Sequence, residues 1–501
     1  MDIEQFRKAG YQAIDRICDY YYSLQNKPVA SQVEPGYLRK ALPESAPENG
    51  EDFQIIADDY QKFIVPGLTH WQHPSFFAYF PTACTFEGIL GELYATSASN
   101  PGFNWSASPA CTELEAVVTD WAAKLLGLDP AFYNSTETGG GVIQTTASDS
   151  VLIATVAARA RYLSKHPSAR IEELVIYTTT QTHSLGKKAG LVLGLAVRAL
   201  EVEGFGENGE GFGLTGERLS RAIEEDLDMG RRPFVLIATV GSTSSGAVDY
   251  LADIGQTLAA YPSESIWLHV DAAWAGVSMA CPEYREPCQL SAVNNYADSY
   301  CTNFHKWGLI NFDSSFMWVR HRQNLINALD ITPEFLRTKH GDAGTVIDYR
   351  NWHLGLGRRF RSLKAWFVFR SYGVQGFQKY IRDTVHLNEF FAKLITDSAQ
   401  FTLVVPPFLA LTVFRLVPPS IAPKNSNGNK DTPNGVDNEK INALNRKFYA
   451  RLSARTDIAL TQTDLNGTFC IRLAVGAART SEEDIKRAYD ILCEEADLVL
   501  R

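Results

Sequence analysis

Long apolar runs are missing from this 501-residue chain. GLVLGLAV, from Gly190 to Val197, is the best candidate and is far too short to cross a bilayer, so no membrane partner is expected. The N-terminal MDIEQFRKAGYQAIDRICDYY lacks the apolar core of a secretory signal. Dense basic runs are missing too. The 47 Lys and Arg residues are dispersed in a chain of net charge −10, which argues against nucleic acid as a partner. The eight cysteines contain no CxxC pair, which argues against a zinc site and a disulfide framework, so no metal is expected. A cytoplasmic, reducing setting is the expectation. What remains is ordinary for a globular protein: 45% hydrophobic and 21% charged residues, at a length that suggests two or three domains.

The first segment reads as an amphipathic helix, with Phe6, Ile14, Ile17 and Tyr21 near one face. A Pro/Gly-rich connector (33–50) follows, then a second helical stretch from Asp52 to Ile64. Residues 1–85 hold too little polypeptide for a core of their own, so packing on a second subunit is expected. From residue 86 to 363 helices alternate with short β-branched runs: LVIYTT, FVLIATV, SIWLHVD and SSFMWVR. That alternation predicts an α/β domain on a mostly parallel sheet, with ligands gathered at the carboxyl ends of the strands. Residues 364–501 read as a small α+β domain containing a polar linker near 418–438. A capping box is expected at Thr480–Glu483. The GxGxxG of Gly204, Gly206 and Gly209 is crowded by glutamates that would repel a pyrophosphate, and reads as a surface turn.

Four features carry chemistry. Lys306 lies among aromatic and apolar residues in TNFHKWGLINFD, where desolvation lowers an amine's pKa and makes it a usable nucleophile. Asp271 ends the apolar run SIWLHVD and, once buried, needs a cationic or hydrogen-bonding partner. A pyridinium nitrogen is one such partner, as in pyridoxal phosphate (PLP) enzymes. In GGGVIQTTASDS, residues Thr146, Ala147 and Ser148 offer free amides at a helix start, a seat for phosphate. His183 follows a strand and could stack on a planar ring. Each has a plain alternative: a surface charge, a structural aspartate, a helix cap, a structural histidine. Four together, each at a strand end or helix start, make coincidence a poor explanation.

Those segments, with VEPGYLR, THWQHPSFFAYFPT, FNWSASPACTELE, HKW, NFD and LGRRFRSLK, resemble the aromatic L-amino acid decarboxylases, group II PLP enzymes of fold type I (aspartate-aminotransferase-like). The resemblance covers nearly the whole chain outside the linker. It implies a Schiff base of PLP on Lys306, with Asp271 bridging to the pyridine nitrogen and His183 stacked on the ring. It puts Thr243 close to Asp271 and the substrate-side groups. It implies a phosphate site of Ala147, Ser148 and Asn303, with His305 adjacent. Trp71, Tyr79, Phe80, Pro81 and Thr82 would line the substrate pocket. Pro101 and Phe103 would enter from the partner of a homodimer with active sites at the interface. Gly357 leaves room for a large ring such as indole.

The family carries a mobile catalytic loop after NFD, and members that release amines hold a tyrosine at its tip. Here DITPEFLRTKHGDAGT (Asp330–Thr345) has Phe335 in that position. Family members with phenylalanine there, the aromatic acetaldehyde synthases, couple decarboxylation to oxidative deamination. The expectation is therefore an aromatic acetaldehyde with CO2, ammonia and hydrogen peroxide, with O2 as co-substrate. The alternative is a simple decarboxylase releasing the arylalkylamine. An aminotransferase would need an arginine for a second carboxylate. A silent PLP-fold binding protein would not be expected to retain Lys306, Asp271 and His183 together.

Overall fold

The computed structural model describes residues 1–204, 211–418 and 435–501. Gly206 and Gly209 of the GxGxxG stretch fall outside the described residues, as does most of the polar linker expected near 418–438.

The large sheet has seven strands: β1 (Gly140–Gln144), β2 (Leu174–Thr179), β3 (Ala196–Leu200), β4 (Arg232–Thr239), β5 (Trp267–Asp271), β6 (Ser299–Asn303) and β7 (Ser315–Val319). Their order is β1-β7-β6-β5-β4-β2-β3. Except for the edge strand β3 and the first residue of β4, these strands are buried throughout, which explains continuous rather than alternating hydrophobicity. The β-branched runs in the sequence mark β2, β4, β5 and β7. The other three are set by their neighbours rather than by propensity: GGVIQ opens on glycines, AVRAL carries an arginine, and SYCTN is polar.

SSFMWVR reads like its parallel companions, yet β7 runs antiparallel to both β6 and β1. The connection 304–314 is shorter than the roughly dozen residues a parallel crossover requires, so the chain turns straight back. This reversal gathers the carboxyl ends of β1, β2, β4, β5 and β6 and the start of β7 along one edge. Gln144 and Asn303 both pair with Ser315 there.

The helix Ala147–Lys165 covers the sheet, closed at its start by a capping box of Thr146 and Asp149. A long helix, Arg361–Asp397, is interrupted at Gly373, whose φ of 58° is left-handed. It leads to a second, antiparallel sheet of β8 (Phe401–Leu403), β9 (Leu411–Leu416), β10 (Thr461–Leu465) and β11 (Thr468–Ala474), ordered β10-β11-β9-β8. The final helix, Glu482–Leu500, has its capping box one residue later than expected, on Ser481 and Asp484. Thr480 is engaged elsewhere, its hydroxyl donating to the Pro74 carbonyl at 2.8 Å.

The N-terminal helix, Ile3–Ser23, buries none of its residues, and Phe6 is 61% exposed. The second helical stretch runs Phe53–Asp59 and continues as a π turn, Tyr60–Ile64, also with nothing buried. Their apolar faces are largely uncovered in the single chain, although Ile17 and Tyr21 are half-buried, with the Tyr21 ring 5.0 Å from that of Phe86. Among the described residues no helix is long and apolar enough to cross a membrane.

Candidate active site

The edge where the strands end carries the expected cluster. β5 delivers Asp271, buried, with Oδ1 accepting the Ala273 amide at 3.0 Å. β6 delivers Asn303 and then a short helix, Phe304–Trp307, that holds Lys306. The Lys306 Nζ lies 5.6 Å from the centre of the Phe80 ring. Burial pushes the Lys306 amine below its ordinary pKa, Asp271 works against that shift, and Arg472 adds to it. Asp271 is pushed up by burial and held back by Lys306, the Ala273 amide and His183. His183, in the turn after β2, is lowered by desolvation, raised by Asp271 and lowered by Lys306. Asp271 and His183 therefore each feel the charge of the other two, and Lys306 that of Asp271.

Beside them, the helix beginning at Ala147 turns its first amides toward the same edge. Thr146 and Asp149 satisfy each other through the capping box, leaving the Ala147 and Ser148 amides as open donors. The His305 Nδ1 accepts the Ser314 amide at 2.8 Å, so its ring hydrogen is on Nε2. Burial lowers the His305 pKa to about 3 and keeps the ring neutral. The side-chain oxygens of Asn303 and Ser314 are buried without a hydrogen-bond partner among the described residues. Buried polar atoms are rarely left so. Open amides, the neutral His305 N–H and the unpartnered Ser314 hydroxyl are donors that suit a phosphate, and Asp271 and Lys306 suit a pyridine ring and its aldehyde. The residues fit PLP.

Thr243 is half-buried in the turn after β4. That turn needs Gly241, at φ 80°, where a Cβ would come within 2.5 Å of the Ala275 methyl. Phe80 is buried against Trp274, ring centres 4.6 Å apart, and its neighbour Pro81 packs on Gly476. The Thr82 carbonyl accepts the Gln72 side chain, and the next amide, Ala83, donates to the His305 carbonyl at 2.8 Å. Phe80, Pro81 and Thr82 are thereby tied to the Lys306 region. Trp71 and Tyr79 stack on each other at 5.5 Å and line a separate cavity of about 400 Å³ beside the helix Gly435–Ser453. Pro101 and Gly357 share another cavity, about 460 Å³, with Arg358 and Arg359. Phe103 is half-buried, and its carbonyl accepts the Arg350 amide at 3.0 Å.

Phe335 stands apart. It is 79% exposed on a short 3-10 turn, Glu334–Leu336, whereas Leu336 is 7% exposed. Leu336 lines a cavity of about 1010 Å³ with Thr338, Arg350 and Trp352, and neither Lys306, Asp271 nor His183 reaches it. Within one chain Phe335 is not brought to the Lys306 cluster. A loop tip held outward by one buried neighbour can meet such a cluster only by moving or by reaching another subunit.

One residue went unmarked by the sequence. Arg472, on β11, is buried, with its guanidinium 4.7 Å from the Phe80 ring centre and donating to the Tyr79 carbonyl at 3.2 Å. It has no carboxylate partner among the described residues, its Nε is unpaired, and burial lowers its pKa to about 10. A buried cation beside Lys306 without an anion is a ready carboxylate seat. Its only signal was an arginine inside the apolar strand TFCIRLAV.

A buried lysine, its acid partner and a phosphate seat on the edge of a mostly parallel seven-stranded sheet define a PLP enzyme of fold type I. Residues 35–417 match the pyridoxal-dependent decarboxylase conserved domain, and the chain belongs to that family. It is 43% identical over 500 residues to tryptophan decarboxylase 2 of Oryza sativa subsp. japonica, covering all of this chain and 96% of that protein. It is 42% identical over 500 residues to phenylacetaldehyde synthase of Arabidopsis thaliana, covering all of this chain and 97% of that protein. The crystal structure of Oryza sativa TDC with PLP and tryptamine superposes with a TM-score of 0.92 at 34% identity, covering 100% and 99% of the two chains. The relatives thus include both amine-forming decarboxylases and an aldehyde synthase.

Proposed function

We propose that the protein decarboxylates an aromatic L-amino acid and oxidatively deaminates it, yielding the aromatic acetaldehyde. The observation that carries this reading is Phe335, a side chain with no dissociable proton where amine-forming relatives are expected to hold a tyrosine. PLP, when bound, supplies an electron sink for the pair left at Cα as CO2 departs. Lys306 offers the amine that engages it, kept reactive by burial. Asp271, whose burial is opposed by Lys306 and the Ala273 amide, would be the residue facing the ring nitrogen and favouring a proton there. Arg472 receives the substrate carboxylate, Phe80 and Trp274 offer flat apolar surface, and His183 covers the ring.

A proton delivered by a positioned acid is typically worth roughly 10²–10⁴ in rate. Phe335 has none to give, which would leave the pair at Cα open to oxidation by O2 before protonation. The balance is amino acid, O2 and water giving aldehyde, CO2, ammonia and hydrogen peroxide. Simple amine release remains the second reading, supported by the tryptophan decarboxylase relative standing as near in identity as the synthase. We also infer a homodimer, because the uncovered faces of the N-terminal helices and the outward Phe335 loop both call for a partner.

Incubating the enzyme with L-tryptophan, L-tyrosine, L-phenylalanine and L-dopa, and measuring amine, aldehyde and peroxide, tests the reading. Aldehyde and peroxide in equal amounts are expected, with Phe335→Tyr swinging the product toward amine and Lys306→Ala silent. Amine formed without oxygen uptake by the unaltered enzyme would overturn the aldehyde assignment.

A further inference from the structure

Behind Asp271 a line of side chains runs through the sheet. The Trp267 indole N–H donates to the Ser299 hydroxyl at 2.8 Å, and that oxygen lies 2.7 Å from His269 Nδ1. His269 Nε2 lies 3.6 Å from Cys301 Sγ, and the sulfur lies 3.8 Å from Asp271 Oδ1. All five residues are buried. Strand geometry creates the line. Residues 267, 269 and 271 share one face of β5, and β6 sets Ser299 opposite His269 and Cys301 opposite Asp271.

Counting hydrogens gives the line a direction. Burial lowers the His269 pKa to about 3, so the ring is neutral and carries one N–H. Ser299 already accepts from Trp267, and among the described residues the one acceptor within reach of its own O–H is His269 Nδ1. The ring hydrogen must then be on Nε2, pointing at Cys301. The Cys301 S–H is left to donate to Asp271. The opposite tautomer would strand the Ser299 hydrogen without an acceptor in the protein interior, which buried hydroxyls rarely tolerate.

We propose that Cys301 is a positioning residue for Asp271, the last donor of a one-way relay Trp267→Ser299→His269→Cys301 that keeps the carboxylate ionised and aimed. The proposal rests on the reading of Asp271 as the partner of the cofactor's ring nitrogen. Asp271 is faced by Lys306 from the helix after β6, by His183 from the turn after β2, and by Cys301 and Tyr300 on β6. Beside the Ala273 amide, which also donates to Oδ1, the relay supplies a second hydrogen bond that needs no charge and does not move with substrate. It also gives His269 and Ser299 a use that their burial alone does not explain.

Two measurements test it. In the apoprotein, ¹⁵N NMR of His269 should report the Nε2–H tautomer, a readout independent of cofactor and turnover. In the holoenzyme, Cys301→Ala should weaken PLP retention about threefold to tenfold, the scale of one ordinary hydrogen bond lost, as suits a weak S–H donor. It should also move the pH dependence of the bound cofactor's visible absorbance, and Cys301→Ser should restore both. An Nδ1–H tautomer would overturn the relay, as would Cys301→Ala matching the unaltered enzyme while Asp271→Asn loses PLP. Tight PLP retention in Asp271→Asn would instead remove the reading of Asp271 on which the relay depends. Should Cys301→Ala fail to fold, the tautomer and Cys301→Ser still decide.

Discussion

Arg472 and Lys306 come from opposite ends of the fold's logic. Lys306 follows directly from a strand ending, and with Asp271 and His183 it was legible because each sits in a recognisable local setting. Arg472 was not, since nothing near it in sequence says that β11 lies beside Phe80. That contact depends on residues 76–80 crossing to the small sheet, where the Phe77 amide bonds Ala459 at 2.9 Å and the Ala474 amide bonds Phe77 at 3.1 Å. Cys301 escaped for a similar reason, its partners being on a neighbouring strand. If Arg472 seats the substrate carboxylate, Arg472→Gln should raise KM about tenfold or more while changing kcat less, because a charge-assisted pair is lost on binding. Steady-state kinetics with the preferred amino acid check this, and an unchanged KM would reassign the arginine to packing against Phe80.

At the scale of elements, β5 and the turn after β6 bury two histidines that titrate far from their ordinary range. Folded, His269 and His305 stay neutral down to about pH 3. Unfolded, each takes a proton near the ordinary histidine value of about 6.5. Protons therefore favour the unfolded chain between those values, and stability falls as pH drops below 6.5. The fall is about 1.4 kcal/mol per pH unit for each ring once the unfolded histidines are charged. Asp249, buried and accepting the Leu214 and Thr239 amides, has its pKa pushed up to about 6 and offsets one ring between that pH and the ordinary aspartate value of about 3.9. Asp271, also raised, acts in the same sense as Asp249. Urea midpoints should be steady above pH 7 and fall as the pH drops through 6, with His353, lowered to about 4, adding to the fall. A midpoint constant from pH 7.5 to 6 would contradict neutral burial of the two rings. The direction of β7 illustrates what patterning does not reveal: burial on both faces looks the same for a strand running either way, and only the short 304–314 connection decides.

For the whole molecule the large α/β unit and the small sheet were legible as alternation followed by a change of pattern. Where surfaces meet was not, because periodicity reports that a face is apolar and says nothing of what covers it. The helix Ile3–Ser23 is the case in point, with Phe6 and Ile14 on a face that this chain leaves bare. If a second copy covers it, Phe6→Asp with Ile14→Asp should shift sedimentation from dimer toward monomer and make activity fall on dilution, as mass action requires. A variant that stays dimeric at micromolar concentration would mean that other surfaces hold the subunits together.

If the proposed oxidative reaction holds and peroxide is a product, the eight thiols take on a different meaning. All are free, yet five are buried, two are half-buried, and only Cys18 is exposed. Burial raises the pKa of the other seven, Cys301 beneath Asp271 among them. Peroxide attacks thiolates rather than thiols, so a cysteine kept protonated in the interior is nearly inert toward it. Under that reaction the packing that shapes the site would also shelter the chain from peroxide, leaving Cys18 as the position where oxidative wear would first be recorded.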